Sequence, residues 1–327
     1  MSARVLSGTR PTGKLHLGHL LGALENYKKL MGQDAFFMIA DLHALTTEYE
    51  SKTTIAANVT EIIIDYLASG LDPEKCTIFV QSEVLEHANL ALLFSMITPI
   101  AWLERNPTYK DQINELKGKE LHTHGFLGYP VLQAADIAIY KAEKVPVGED
   151  QLPHLELTRE IIRRFHYLYK ANIFPEPEAV LTQVPKVPGL DGRKMSKSYG
   201  NGIYLADSRE EVTKKIKTMV TDPARKLKTD KGHPEVCPVF FYHKLFNKDQ
   251  AETVAYECQN ALRGCVDCKM AMAAKLNEFL DPVRERRELW MNKKTEIRQI
   301  LDRGAQRARE VAAKTLRETM SVMGLIP

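Results

Sequence analysis

Four small groups of residues in this chain have the types and spacing that do chemistry. The first lies in SGTRPTGKLHLGHLLGA, residues 7–23, where a short apolar segment ends at Gly8, a Pro-Thr-Gly turn follows, and His16, Gly18 and His19 open a helical pattern. A helix start offers unpaired N–H groups and positive potential. Gly18 would let a phosphate approach the backbone, and both histidines could donate to its oxygens. An isolated pattern of this kind is also compatible with an ordinary helix start carrying two partly exposed histidines. The second group is Lys194, Met195, Ser196, Lys197 and Ser198, in the Gly- and Pro-rich stretch 183–202. Two lysines three apart on a mobile loop can fold over a polyphosphate and neutralise charge on a leaving group. Alone, such a segment is simply a solvated loop.

The third group is Tyr129, Gln133 and Asp136 in YPVLQAADIAIY, which fall on one face of a helix. Their neighbours Val131, Leu132, Ala134, Ala135 and Ile137 are apolar, so the stripe reads as a pocket wall, with a buried polar network as the alternative. Proline is tolerated best in a first helical turn, so this helix is predicted to begin near Pro130. The fourth group is Cys237, Cys258, Cys265 and Cys268, spaced C-x20-C-x6-C-x2-C. Four such cysteines suit tetrahedral thiolate ligation, and Zn²⁺ and a 4Fe–4S cluster fit the spacing equally. Four reduced, metal-free thiols are the third reading. Cys76 stands apart in an apolar strand pattern and reads as a small core residue.

The elements that must position these residues follow from hydrophobic patterning. RVLSG (4–8), AFFMIAD (35–41) and CTIFVQS (76–82) are short apolar runs, as expected of strands buried on both faces. Helical patterns separate them, at 18–31 and again where Val59, Ile62, Ile63, Tyr66 and Leu67 recur before the stop SGLDP. This alternation predicts an α/β, doubly wound, Rossmann-like parallel sheet, with ligands outside the carboxyl ends of the strands. From about residue 205 only helical patterns remain, so the expected division is an α/β domain over 1–202 and an α-helical domain over 203–327. The polar segment KGKELHTHG (117–125) is a candidate mobile loop.

Composition narrows the class. The 327 residues are 44% hydrophobic and 27% charged with a net charge of +3, an ordinary globular balance that demands no polyanionic partner. Residues 283–317 carry eleven Lys or Arg against five Asp or Glu. That bias marks either a solvated helix face or a surface facing a polyanion. No apolar run reaches membrane-spanning length, and nothing at the start resembles a signal peptide, so a cytoplasmic protein is expected. Structural disulfides are then disfavoured, as is the odd total of five cysteines for complete pairing.

Together the His-x-Gly-His and Lys-Met-Ser-Lys-Ser motifs, in this order, resemble the signature pair of class I aminoacyl-tRNA synthetases, with Leu17 where isoleucine is more usual. Adding RPTGKLHLGHLLGALENY and VPVGEDQLPHLELTR (145–159), nearly the whole chain is similar to the bacterial tryptophanyl-tRNA synthetases. The resemblance implies ATP-dependent activation of L-tryptophan and its transfer to tRNA(Trp). It implies Mg²⁺ with the ATP, a homodimer, and a helical anticodon-binding domain whose last helix packs back on the catalytic domain. It assigns catalysis to His16, His19, Lys194 and Lys197. It assigns ATP contacts to Arg10, Pro11, Thr12, Gly18, Gly148, Glu149, Asp150, Gln151, Val187, Met195, Ser196 and Ser198. Asp136 would accept the indole N–H, while Tyr129 and Gln133 hold the α-ammonium. Tyrosine-specific relatives share this Tyr/Gln/Asp pattern but carry a second tyrosine where this chain has Leu6, which here would line the indole face. Finally, the resemblance implies a 4Fe–4S cluster on the four cysteines, as in a subset of these enzymes, rather than Zn²⁺. A tyrosyl-tRNA synthetase and a small-molecule nucleotidylyltransferase are the alternatives.

Overall fold

The computed structural model describes residues 3–50, 54–107, 109, 121–181, 186–197 and 199–327. The strands are β1 (Val5–Thr9), β2 (Ala35–Ile39), β3 (Thr77–Val80), β4 (Lys144–Val147) and β5 (Glu178–Leu181). The helices are α1 (Glu25–Leu30), α2 (Asp41–Glu48), α3 (Thr54–Ala68), α4 (Glu86–Ser95), α5 (Ile100–Glu104), α6 (His124–Ile139) and α7 (Leu152–Tyr169). They continue with α8 (Arg209–Thr218), α9 (Pro238–Phe246), α10 (Ala251–Gln259), α11 (Cys265–Met291) and α12 (Lys294–Val322). These elements form two compact units. One comprises residues 1–13, 23–183 and 293–327, and the other residues 14–22 and 184–292. None of these four boundaries falls at residue 202: 14–22 groups with the later segment and the last helix with the earlier one.

In the first unit the five strands form one parallel sheet in the order β3-β2-β1-β4-β5. β2 is buried at every position, which explains its unbroken run AFFMI. The order reverses direction between β1 and β4, the crevice where ligands of doubly wound sheets bind. Leu6, Phe36, Phe79, Tyr140 and the apolar positions of α6 share one core cluster.

Helix α6 starts at His124, six residues before Pro130, so the predicted start is corrected. Thr123 caps it, its hydroxyl accepting from Phe126 N at 3.1 Å, and this satisfies one of the free N–H groups of the first turn. Pro130 then sits inside the helix at the cost of one backbone hydrogen bond. Of the segment expected to be a mobile loop, 117–120 lies outside the described residues.

Helix α12 buries Ile297, Ile300, Leu301, Gly304, Ala305, Ala308, Ala312 and Leu316, a helical repeat, with much of this face against β3. Gly304 is required there. A Cβ added to it would lie 1.8 Å from the Ile78 carbonyl oxygen. Several basic residues of 283–317 are paired. Arg298 bonds Glu83 at 2.7 Å, Arg303 meets Glu74 at 3.2 Å, and Arg307 meets Asp34 at 3.3 Å. In the other unit Arg284 pairs with Asp281 at 2.8 Å. This favours the solvated-face reading over the polyanion-facing one for these arginines.

The second unit is helical apart from extended pairing around residues 188–204. Its α8 begins with a reciprocal cap: Glu211 N donates to Ser208 Oγ at 3.1 Å and Ser208 N to Glu211 Oε2 at 2.7 Å. α8 packs on α11, burying Val212, Ile216, Met272, Ala273, Leu276 and Leu280.

Candidate active site

The first unit carries the pocket wall. Tyr129, Gln133 and Asp136 share one face of α6, and Asp136 is only 2% exposed. Its carboxylate is surrounded by donors from other elements. His43 Nε2 lies 2.8 Å from Oδ2, His87 Nδ1 lies 2.7 Å from Oδ1, and Gln81 Nε2 donates to both oxygens at 2.8 and 3.0 Å. Burial pushes the Asp136 carboxyl up, but the hydrogen bonds from His43 and His87 outweigh burial, so it is held below the usual carboxylate value. The site therefore contains a buried anion. Tyr129 Oη lies 3.0 Å from His154 Nε2, and Asn106 Nδ2 lies 3.1 Å from His154 Nδ1. Burial and then the charge of His43 push His154 down to about 4. Leu6 is buried in the core cluster from β1.

His43, Gln81, His87 and His154 were missed by reasoning from the sequence. A signal for two of them existed: His43 follows the end of β2 and Gln81 follows the end of β3 directly, at the carboxyl ends where such sheets bind ligands.

Also in the first unit, Arg10 is exposed after β1, and Pro11 is fixed through its carbonyl by Asn58 Nδ2 at 3.0 Å. Thr12 N donates to the Arg10 carbonyl at 2.9 Å, closing the turn. Gly148, Glu149, Asp150 and Gln151 form a single tight helical turn following β4. A Cβ on Gly148 would lie 2.6 Å from Asp150 Oδ1, so glycine lets that carboxylate fold over the backbone.

The second unit carries the phosphate-type motifs. Residues 15–17 pair with 203–205: Leu17 N donates to Ile203 O at 2.8 Å and Leu205 N to Leu15 O at 3.0 Å. This anchors the helical turn Leu17–His19, which continues through a π-turn, Leu20–Leu24. The His16 and His19 ring centroids lie 3.8 Å apart with the rings tilted by 47°, and His16 N donates to His19 Nδ1 at 3.2 Å. That bond leaves His19 Nε2 as the proton-bearing nitrogen of a neutral ring. Burial, then the Lys197 and Lys194 charges, push His16 down to about 4. His19 is held well below its ordinary value by burial and by His16. Both imidazoles are thus neutral near pH 7 and act as hydrogen-bond donors rather than cations. His16 Nδ1 is buried with no hydrogen-bond partner among the described residues, and a Cβ on Gly18 would lie 3.0 Å from His16 Cε1.

The lysine segment is held by a short antiparallel pairing. Met195 N donates to Val187 O at 2.9 Å, so the Val187 carbonyl is already engaged. Asn201, buried and also missed from the sequence, ties the segment together. Its side chain accepts from Ser196 N at 2.9 Å and donates to Asp191 Oδ1 at 2.7 Å and Lys194 O at 3.3 Å. Lys194 is exposed, Met195 buried, and Lys197 half-buried, while Ser198 lies outside the described residues.

Cys237, Cys258, Cys265 and Cys268 are all half-buried, unbridged and in this unit. Arg225 Nη1 lies 3.5 Å from Cys258 Sγ, and His243 Nε2 lies 3.3 Å from Cys268 Sγ. Burial and then the neighbouring Cys237 push the Cys268 thiol up to about 12, and Cys258 and Cys265 also raise it. Among the described residues, however, no three His, Cys, Asp or Glu side chains are gathered to hold a metal ion. Four thiolates suit a Zn²⁺ ion and a 4Fe–4S cluster alike, so the donor chemistry does not choose between them.

A parallel α/β sheet with flanking helices, a histidine pair beside a lysine loop, and a separate buried carboxylate pocket define the class I synthetase architecture. The profile of the tRNA synthetases class I (W and Y) matches residues 1–281, and the chain belongs to this family. Within it, a tryptophan–tRNA ligase of Thermotoga maritima is 53% identical over 327 residues, with 99% of each chain covered. One from Aquifex aeolicus is 45% identical over 394 aligned residues, covering 98% of this chain and all of the relative. The crystal structure of the Campylobacter jejuni tryptophanyl-tRNA synthetase, complexed with ADP and tryptophan, superposes with a TM-score of 0.88. It is 32% identical, with 98% of this chain and 99% of that one covered.

Proposed function

We propose that the chain is a tryptophan–tRNA ligase. It joins the carboxylate of L-tryptophan to the α-phosphorus of ATP, releases pyrophosphate, and passes the tryptophanyl group to a terminal ribose hydroxyl of tRNA(Trp). The observation that carries tryptophan selection is the buried, donor-ringed Asp136 carboxylate. A buried acceptor left without its guest donor is penalised, so a phenyl side chain would be rejected by as much as roughly 10⁴-fold. Leu6, where tyrosine-specific relatives carry a second phenol-binding residue, supports the indole over the phenol. Tyr129 and Gln133 take the α-ammonium.

No general base is needed, because the attacking carboxylate is already ionised. His16 and His19, as neutral donors, hydrogen-bond phosphate oxygens without trapping them by full charge. Lys194 and Lys197 meet the charge that develops on pyrophosphate. Gly18, Arg10, Pro11, Thr12, Met195, Ser196, Ser198 and the backbone of Val187 contact the triphosphate or adenine, and Gly148 to Gln151 the ribose. Mg²⁺ arrives with ATP and supplies further charge neutralisation. The test is ATP–pyrophosphate exchange across the twenty amino acids. Exchange with tryptophan alone is expected, while preferential exchange with tyrosine, or none at all, sinks the assignment.

We infer further that residues 203–292 serve the anticodon side of tRNA and that the four cysteines hold a 4Fe–4S cluster. What supports the cluster is a set of four free thiols in one unit, with the Arg225 guanidinium 3.5 Å from Cys258 Sγ. Iron and sulfide analysis of anaerobically purified protein decides this, and one zinc without iron overturns it. A homodimer is supported by Leu85, Leu92 and Met96, exposed on one side of α4, with exposed Ile100 following. Leu92→Glu should yield a monomer in light scattering. The enzyme is proposed to work in the cytoplasm, and among the described residues no helix is long and apolar enough to cross a membrane.

A further inference from the structure

The indole assignment leaves a problem, because the Asp136 carboxylate is already bonded by three side chains. A carboxylate offers about four acceptor directions, so which one stays open is set by how the others are filled. Oδ1 is filled by two donors, His87 Nδ1 at 2.7 Å and Gln81 Nε2 at 2.8 Å. Oδ2 has His43 Nε2 at 2.8 Å and only a longer share of Gln81 at 3.0 Å. The side chain of His87 is fully buried, whereas that of His43 is 9% exposed. Both oxygens thus accept two donors, and the less tightly held and less enclosed of them is Oδ2, beside His43, where a guest N–H can replace the longer Gln81 contact. His87 is itself tethered. Its Nε2 lies 2.8 Å from Tyr140 Oη, and its ring lies over Phe79 with centroids 6.0 Å apart.

We propose that His87, backed by Tyr140, is a specificity-determining positioning residue that keeps Oδ1 of Asp136 occupied and leaves Oδ2 as the receptor for the indole N–H. This rests on the reading of Asp136 as the indole acceptor. Because an ionised carboxylate only accepts, Nδ1 of His87 must carry the hydrogen, and the Tyr140 contact at the other nitrogen keeps the ring from turning away. Without His87 the carboxylate is free to rotate, Oδ1 opens toward the core, and Oδ2 loses its fixed aim. The loss falls on recognition of the donor, not on phosphoryl chemistry.

The test compares tryptophan with β-(3-benzothienyl)alanine, in which sulfur replaces the indole N–H, by pyrophosphate exchange. The variants are His87→Leu, His87→Asn, Tyr140→Phe and Asp136→Asn, each checked for folding by circular dichroism. The ratio of kcat/KM for tryptophan to that for the analogue should fall about tenfold or more in His87→Leu. The loss should appear in KM for tryptophan, with KM for ATP unchanged. His87→Asn, which places an amide donor near the former Nδ1, should restore most of the ratio, and Tyr140→Phe should lie between. A wild-type ratio in folded His87→Leu overturns the proposal, and if that variant does not fold, a wild-type ratio in Tyr140→Phe overturns it equally. An unchanged ratio in Asp136→Asn overturns the indole assignment itself, and this proposal with it. A collapsed ratio there beside a normal one in His87→Leu overturns the role of His87 alone.

Discussion

Replacing Gly304 by alanine adds one carbon and two hydrogens to a 327-residue chain, yet it should be among the most damaging small substitutions available. The new Cβ would meet the Ile78 carbonyl oxygen at 1.8 Å and its carbon at 2.8 Å, and neither can swing aside as a side chain could. An ordinary contact is about 3.5 Å, so α12 must retreat from β3 by roughly 1.5 Å. Even a gap of about 1 Å forfeits up to half the dispersion attraction of the atoms it separates. Ala305, Ala308, Ala312 and Leu316 lie on the same buried face and would lose contacts together. Overpacking alone costs about 1–3 kcal/mol, and alanine returns about 1 kcal/mol of helix propensity, so with the lost contacts a net loss of about 2–3 kcal/mol is expected. At about 2–4 °C per kcal/mol, Tm should fall by roughly 5–10 °C. Gly128→Ala is the matched control. It lies inside α6 with nothing within 4 Å of the added Cβ, and should stabilise by about 0.5–1 kcal/mol. Ile78 stands three residues before Gln81, which holds Asp136, so KM for tryptophan should rise more than KM for ATP. Calorimetry and exchange kinetics on both variants suffice. A Gly304→Ala protein melting at or above wild type would refute the reasoning.

Three further outcomes are expected. His16 and His154 are both held near 4 against an unfolded value of about 6.5. The unfolded chain therefore takes up protons that the folded one refuses, and stability present above pH 6.5 is lost as pH falls toward 4, by roughly 3 kcal/mol per histidine. His154→Gln should flatten that slope in melts between pH 7.5 and 5, and an unchanged slope counts against the assignment. Lys197→Ala should lower the adenylation rate by about 10²–10³ with the tryptophan Kd unaltered, measured by single-turnover kinetics and calorimetric titration, and near-normal turnover removes Lys197 from its role. Asn201→Ala deletes the side-chain bonds to Ser196 and Lys194 and should raise KM for ATP roughly tenfold while speeding tryptic cleavage at Lys194 and Lys197. Equal cleavage rates would show that the segment does not depend on Asn201.

Much of the sheet was legible because β2 and β3 are buried at every position and read as apolar runs, while β1 opens on buried Val5 and Leu6 and ends at Gly8-Thr9. β4 and β5 were not. Lys144-Val-Pro-Val carries a proline that argues against a strand, and Glu178–Leu181 has exposed ends. Pro146 is accommodated because its register partner lies on β5, while β1 pairs with β4 through Lys144. The helix through Pro130 was misplaced because a favourable cap at Thr123 and burial of the following turns outweigh one missing hydrogen bond. Tyr129, Gln133 and Asp136 were visible through helical spacing. Their partners were not, since His87 and His43 stand 49 and 93 residues from Asp136 and only the fold brings them there. The four cysteines announced themselves by spacing, but no spacing says how closely their sulfurs approach.

The placement of Gly304 against β3 also has a consequence in time. β3 ends at residue 80, and the helix that packs on it runs from 294 to 322, far later in the chain. At about 5–20 residues per second, the nascent strand waits on the order of ten seconds or more for its cover. During that interval an edge strand of the sheet stands open to whatever else is sticky nearby. The nascent chain is thus exposed to misassembly at β3 until α12 has emerged to cover it.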